Sequence, residues 1–192
     1  NPAGFLTVSD PPYDEKLGLQ VIAHPDGTIQ SRLSGIHDSV NAHSSLTASG
    51  RPTTNDQRPT TYPYLYYEAQ IDKIPKVDSG FVVQKENLNS FLKIKLRESG
   101  LNIKETDDYM KYWLPRLLSQ KEDYFLIYFL NNHQIEIIEP LEIDMPIDTQ
   151  IRVRTYFKPL ANPIDITEQS LEKPAARTGN TIVEWGGILD TP

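Results

Sequence analysis

Tyr124-Phe125-Leu126-Ile127-Tyr128-Phe129-Leu130 is the stretch that decides the fold. It carries no charge, is rich in aromatic and apolar side chains, and is bounded by Asp123 on one side and Asn131-Asn132 on the other. A strand with one wet face alternates apolar with polar residues, whereas this run is apolar at every position. It therefore predicts a strand buried on both faces, at the centre of a sheet. It is far too short to span a bilayer, so membrane insertion is not expected.

Upstream of it the period changes from two to 3.6. Leu88, Phe91, Leu92 and Leu96 fall on one helical face, and Gly100 is placed to close that helix in the left-handed conformation. Asn102 then caps a second helix, with Glu105 three residues on to complete a capping box. Met110, Trp113, Leu114, Leu117 and Leu118 form its apolar stripe. Pro115 falls within the stripe and predicts a kink or break near Lys111–Leu114, because it lacks an N–H and clashes one turn back. So short a link at Gly100-Leu101 turns the two helices into an αα-hairpin, inserted over residues 86–119.

The remainder reads as strands. Downstream, Ile135–Ile138 and Leu141–Ile143 are short candidates flanking Pro140. In Ile151-Arg152-Val153-Arg154-Thr155-Tyr156-Phe157, Ile151, Val153 and Phe157 share one face while the arginines take the other. Ile164–Ile166 is a candidate edge, and Asn180–Trp185 a last strand ending at Gly186-Gly187. Upstream, Leu17–Ala23 leads into the turn His24-Pro25-Asp26-Gly27, and Thr28–Leu33 returns as a hairpin partner. Tyr62–Ala69 and Gly80–Val83 are two more strands. These elements predict an α+β fold, an antiparallel or mixed sheet core, sandwich-like, carrying the helical hairpin.

A chain of 192 residues suits one domain, and 38% hydrophobic content with 10 Tyr, 6 Phe and 2 Trp is ample for its core. Within residues 1–192 two segments stand apart. Residues 1–12 read as an extended arm, whose Phe5, Leu6, Thr7 and Val8 have the character to add a strand to a sheet edge of another copy. Residues 39–61 form a Ser/Thr-rich tract without helical or strand period, and so long a loop implies support from its own domain or a neighbour.

A net charge of −7 with scattered Lys and Arg disfavours nucleic acid and anionic membranes. The absence of cysteine removes disulfides, thiolate nucleophiles and Cys-bound zinc. It also leans towards an extracellular or cell-surface protein, as does an opening Asn1-Pro2, which a cleaved signal peptide would fit. No Gly-X-Ser-X-Gly elbow, Gly-X-Gly-X-X-Gly fingerprint or phosphate loop occurs, so no cofactor is expected. His37 and His43 flank Asp38, with His24 and His133 elsewhere, but without metal-ligand spacing; no metal site is predicted.

Two glutamates could carry chemistry: Glu68 at the end of the tyrosine strand and Glu184 beside Trp185. A glycosidase needs one carboxyl as acid and another as nucleophile or base. The alternative, favoured by how ordinary strand glutamates are, has both facing solvent or paired with Arg152 or Arg154 across a sheet. Tyr62, Tyr64, Tyr66 and Trp185 are candidate binding residues, since exposed aromatic rings offer flat contact area to sugars or proteins. Burial in the core is the competing reading for most of them.

The order Pro63-Tyr64-Leu65-Tyr66-Tyr67-Glu68, Gly80-Phe81-Val82-Val83, Tyr112-Trp113-Leu114-Pro115-Arg116 and Val183-Glu184-Trp185-Gly186-Gly187 resembles a domain of uncharacterised, exported, mostly bacterial proteins. The resemblance spans residues 60–189 and implies an outward localisation, but no activity and no site residue. Together these readings predict a non-enzymatic, extracellular structural or binding module, partnered by copies of itself or a surface protein as a self-assembling subunit of a surface or filamentous structure. The rivals are a carbohydrate-binding or carbohydrate-cleaving domain using the aromatics with Glu68 and Glu184, and an inhibitor or adaptor presenting the 39–61 tract.

Overall fold

Local capping chemistry sets the helices. The computed structural model describes residues 4–11, 13, 14, 16–31, 61–71, 74 and 76–191. Helix α1 (Leu88–Glu98) ends where Gly100, at φ 104°, donates to the Arg97 carbonyl and Leu101 donates to the Leu96 carbonyl, both at 3.1 Å. That paired closure is the Schellman arrangement, and it needs the left-handed residue that Gly100 supplies. Helix α2 (Ile103–Leu118) starts on the predicted box: Asn102 accepts from the Glu105 amide at 2.9 Å, and Glu105 accepts from the Asn102 amide at 2.8 Å. The helix runs through Pro115 without the expected break. Pro115 lies in the last turns, so few hydrogen bonds beyond it depend on continuity.

The chain divides into two compact units, Gly4–Ile71 and Asp72–Pro192, where its length suggests one domain. In the larger unit, β6 (Ser79–Gln84), β7 (Tyr124–Phe129), β8 (Thr149–Leu160), β9 (Thr167–Glu168) and β10 (Thr181–Leu189) form a five-stranded sheet. Its order is β10-β8-β7-β6-β9, with β7 central as the opening stretch predicts. The β10/β8 and β6/β9 pairs are parallel, and the pairs between β6, β7 and β8 are antiparallel. One sheet flanked by helices replaces the expected sandwich of two sheets in this unit, and the α+β class holds.

Every core side chain on one face of this sheet has an odd number. Phe81 and Val83, Phe125, Ile127 and Phe129, Ile151, Val153 and Phe157 form one cluster with Leu88, Leu92, Leu96, Tyr109, Met110, Trp113 and Leu117 of the hairpin. The period-two pattern of three strands and the 3.6 pattern of two helices thus meet on a single seam. The opposite face is covered in part by α3 (Asn132–Ile138), which takes the place of the predicted strand at Ile135–Ile138. Asn131 and Gln134 form a second capping box there, so local capping overrides the strand preference of three isoleucines. Residues 141–143 form no strand either, and the predicted edge at Ile164–Ile166 falls instead at β9. Strand β10 continues through Gly186-Gly187 rather than stopping at them.

In the smaller unit, β1 (Gly4–Asp10) pairs antiparallel with β5 (Tyr66–Ile71), with a bulge between Leu6 and Val8. The arm is therefore paired within its own chain, which corrects the expectation that residues 5–8 are held in reserve for another copy. The backbone of Phe5 belongs to β1, and its side chain lies outside what is described. Strands β2 (Val21–Ala23), β3 (Ile29–Ser31) and β4 (Thr61–Tyr62) form a three-stranded antiparallel sheet. The predicted hairpin turn closes with Gly27 at φ 84° donating to the His24 carbonyl at 2.9 Å. Residues 39–60 of the Ser/Thr-rich tract, with His43, and the His37-Asp38 pair before it, lie outside the described residues. No helix among the described residues is long and apolar enough to cross a membrane.

Candidate functional site

Strand β8 carries arginines where its alternation turns away from the hairpin. Arg152 and Arg154 are buried, at 8% and 6% exposure, and a buried guanidinium must be matched by acceptors. Glu184 of β10 supplies one set. Its Oε2 accepts from Arg152 Nε, and its Oε1 accepts from Arg154 Nη2 at 3.3 Å. Helix α3 and its C-cap Glu139 supply the other. Glu136 accepts from Arg152 Nη1 at 3.0 Å, the Glu139 carbonyl accepts from Arg152 Nη2 at 2.6 Å, and the Glu139 carboxylate accepts from Arg154 Nη2. Two buried cations thus face two largely buried carboxylates, with Glu136 at the solvent-exposed rim.

Gly186 explains how the network fits. It lies opposite Arg154 in the register, and a Cβ there would collide with the Arg154 guanidinium. One residue on, a Cβ on Gly187 would lie 2.8 Å from Trp113 Cζ2. The glycine pair leaves both faces of β10 bare, one for a charged group and one for an indole. That is why the strand runs on where the sequence reads as a stop.

Glu184 is therefore in the arrangement that competed with catalysis: paired with Arg152 and Arg154 across the sheet. Both of its oxygens are engaged, leaving it badly placed to attack or protonate a substrate. Glu68 belongs to the other unit, where it accepts from the Tyr66 hydroxyl. Trp185 joins the core, its ring 5.5 Å from that of Tyr109. Tyr62, Tyr64 and Tyr66 are in the smaller unit; Tyr64 is 48% exposed, and the other two are half-buried. Partial burial first and the Asp10 charge second push the Tyr62 phenol up from its ordinary pKa. The candidate residues are thus divided between the units.

No family model matches this chain, and no curated protein or solved structure is similar to it. Its function has to be argued from its own residues.

A groove of ≈ 460 Å³ opens in the larger unit where β7 ends and β8 begins. Its walls include Asn131 and Asn132 at the start of α3, Gln150, and the irregular segment Gln169–Ala175. That segment is fastened at one end by the Gln169 side chain, whose Oε1 accepts from the Phe129 amide at 2.9 Å and whose Nε2 donates to its carbonyl at 2.6 Å. Beyond the other end, Arg177 donates to Glu105 Oε1 and to the Gly100 carbonyl, both at 2.8 Å. None of the aromatic or glutamate candidates lines the groove. Sequence reasoning missed it because its walls come from five separated pieces of the chain. Among the described residues no group of three or more His, Asp or Glu side chains is placed to hold a metal.

Proposed function

We propose that the chain is an extracellular structural or binding module, acting through surfaces it presents to copies of itself or to a surface protein. The observation that carries this reading is the engagement of Glu184 by two guanidiniums, which makes the charged centre a brace between β8, β10 and α3. The cysteine-free composition and the resemblance to exported domains support an outward location. Glu184→Gln tests it: the protein should lose stability, and neither it nor the wild type should turn over any member of a glycan panel. A glycan cleaved by the wild type but not by a folded Glu184→Gln variant overturns the reading.

A carbohydrate-binding role has one observation in its favour. The groove presents the amides of Asn132 and Gln150, both exposed, and paired amide donors and acceptors suit sugar hydroxyls. Binding on a glycan array that is lost in Gln150→Ala would select this reading; retention of binding would reject the groove as its site.

A further inference from the structure

Among its described residues the larger unit exposes apolar side chains close in sequence to unpaired carboxylates in one segment, and close to unpaired cations on one helix. From Glu136 to Asp148 the chain holds five carboxylates and no Lys, Arg or His, while Ile137, Leu141 and Met145 are 58%, 36% and 47% exposed. Glu142 and Asp144 of this strip are exposed and make no ion pair among the described residues. On α1 Ile94, 57% exposed, follows Lys93 in the chain and lies one turn before Arg97. Those two cations are exposed and likewise make no ion pair among the described residues; the neighbouring Glu98 is matched by Lys95 at 2.9 Å. Exposed apolar side chains beside unpaired charges, negative in one segment and positive on the other, have the complementarity of two halves of an interface.

We propose that the acidic strip of one copy docks on the basic face of α1 of a second copy. Isoleucine, leucine and methionine side chains would meet Ile94 at the centre, with Glu142 and Asp144 facing Lys93 and Arg97 at the rim. Helix α1 packs on the odd-numbered face of the sheet, and α3, which bears Ile137, packs on the other. One chain therefore cannot bring its own two surfaces together. The contact joins unlike surfaces, so copies add head to tail, as a ring if the rotation closes and as a filament if it does not. This inference rests on the self-assembling form of the proposed function and supplies the surface that β1, paired within its own chain, does not.

Sedimentation velocity on the full chain across a concentration series tests it, using Lys93→Glu/Arg97→Glu and Glu142→Lys/Asp144→Lys, with circular dichroism to establish that each variant is folded. Wild-type mass should rise above monomer with concentration and fall back at high salt, because rim charges are screened. Each variant alone should associate at least about tenfold more weakly, and an equimolar mixture of the two should regain association, since each retains the surface the other lacks. Wild-type association undiminished in either variant, or loss in both without recovery on mixing, overturns the docking while leaving assembly intact. A wild type that stays monomeric throughout overturns both.

Discussion

The two faces of β8 bury comparable side chains by opposite means. On the odd face Ile151, Val153 and Phe157 pack against Trp113, Leu117 and the rest of the hairpin, and what matters there is volume. On the even face Arg152 and Arg154 are as deeply buried, yet are held by carboxylates from β10 and α3. An apolar interior loses stability by the size of the hole a substitution leaves. An ion-paired interior loses it by the charge left without a partner, whatever the change in volume. The same strand therefore answers to two different rules at alternate residues.

Matched truncations give the largest effects. Trp113→Ala and Arg154→Ala should each cost about 3–5 kcal/mol by chemical denaturation, the first as a cavity and the second as uncompensated carboxylates. They separate under conservative replacement: Trp113→Phe should recover much of the loss, while Arg154→Lys should recover little, because an ammonium cannot reproduce the planar fork. Equal recovery at both sites would erase the distinction between the faces.

The adjacent glycines sharpen the comparison with less energy at stake. Gly187→Ala presses a methyl on Trp113 and Phe157, and Gly186→Ala displaces Arg154 from its acceptors. Overpacking of this kind costs about 1–3 kcal/mol. Repulsion on the Gly187 side should be partly relieved by Trp113→Phe, and that on the Gly186 side should not. Melting temperatures of the single and double variants check this.

The smallest effect is seen in alkali. Burial holds the Tyr109 phenol well above its ordinary pKa. The folded state then keeps a proton that the unfolded chain gives up near pH 10. This contribution is fully present below that pH and lost as pH rises towards the folded value, at about 1.4 kcal/mol per pH unit. Tyr156, also pushed up by burial and then by its hydrogen bond to Asp190, adds in the same direction. Tyr109→Phe should flatten the decline in stability above pH 10 without changing its slope near neutrality; an unchanged alkaline slope would mean Tyr109 is solvated.

What could be read in the sequence follows from how local the determining chemistry is. The central strand, the helical hairpin, the Asn102–Glu105 box and the alternation of β8 are each written within a few residues, and each was legible. Helix α3 was not, although its signal was present: Asn131 and Gln134 stand at capping-box spacing before isoleucines whose strand preference looked stronger. The ion network was half legible, since two arginines at alternate positions of an apolar strand demand buried acceptors. Glu184 is among the partners the sequence offers, whereas Glu136 is hidden by the strand reading of Ile135–Ile138 and Glu139 by falling between two predicted strands. Trp185 reads equally as a surface contact or a core ring from sequence, and Gly186-Gly187 reads as a strand end; only the seating of Arg154 and Trp113 explains those glycines.

The brace itself is tested most directly by a double-mutant cycle between Arg152 and Glu184, using Arg152→Met and Glu184→Gln with stability read by denaturant unfolding. Partners buried to 4% and 12% side-chain exposure should show a coupling of about 2 kcal/mol or more, with the double variant recovering part of what each single variant loses. A coupling within about 0.5 kcal/mol of zero, the additivity of independent sites, would contradict the account.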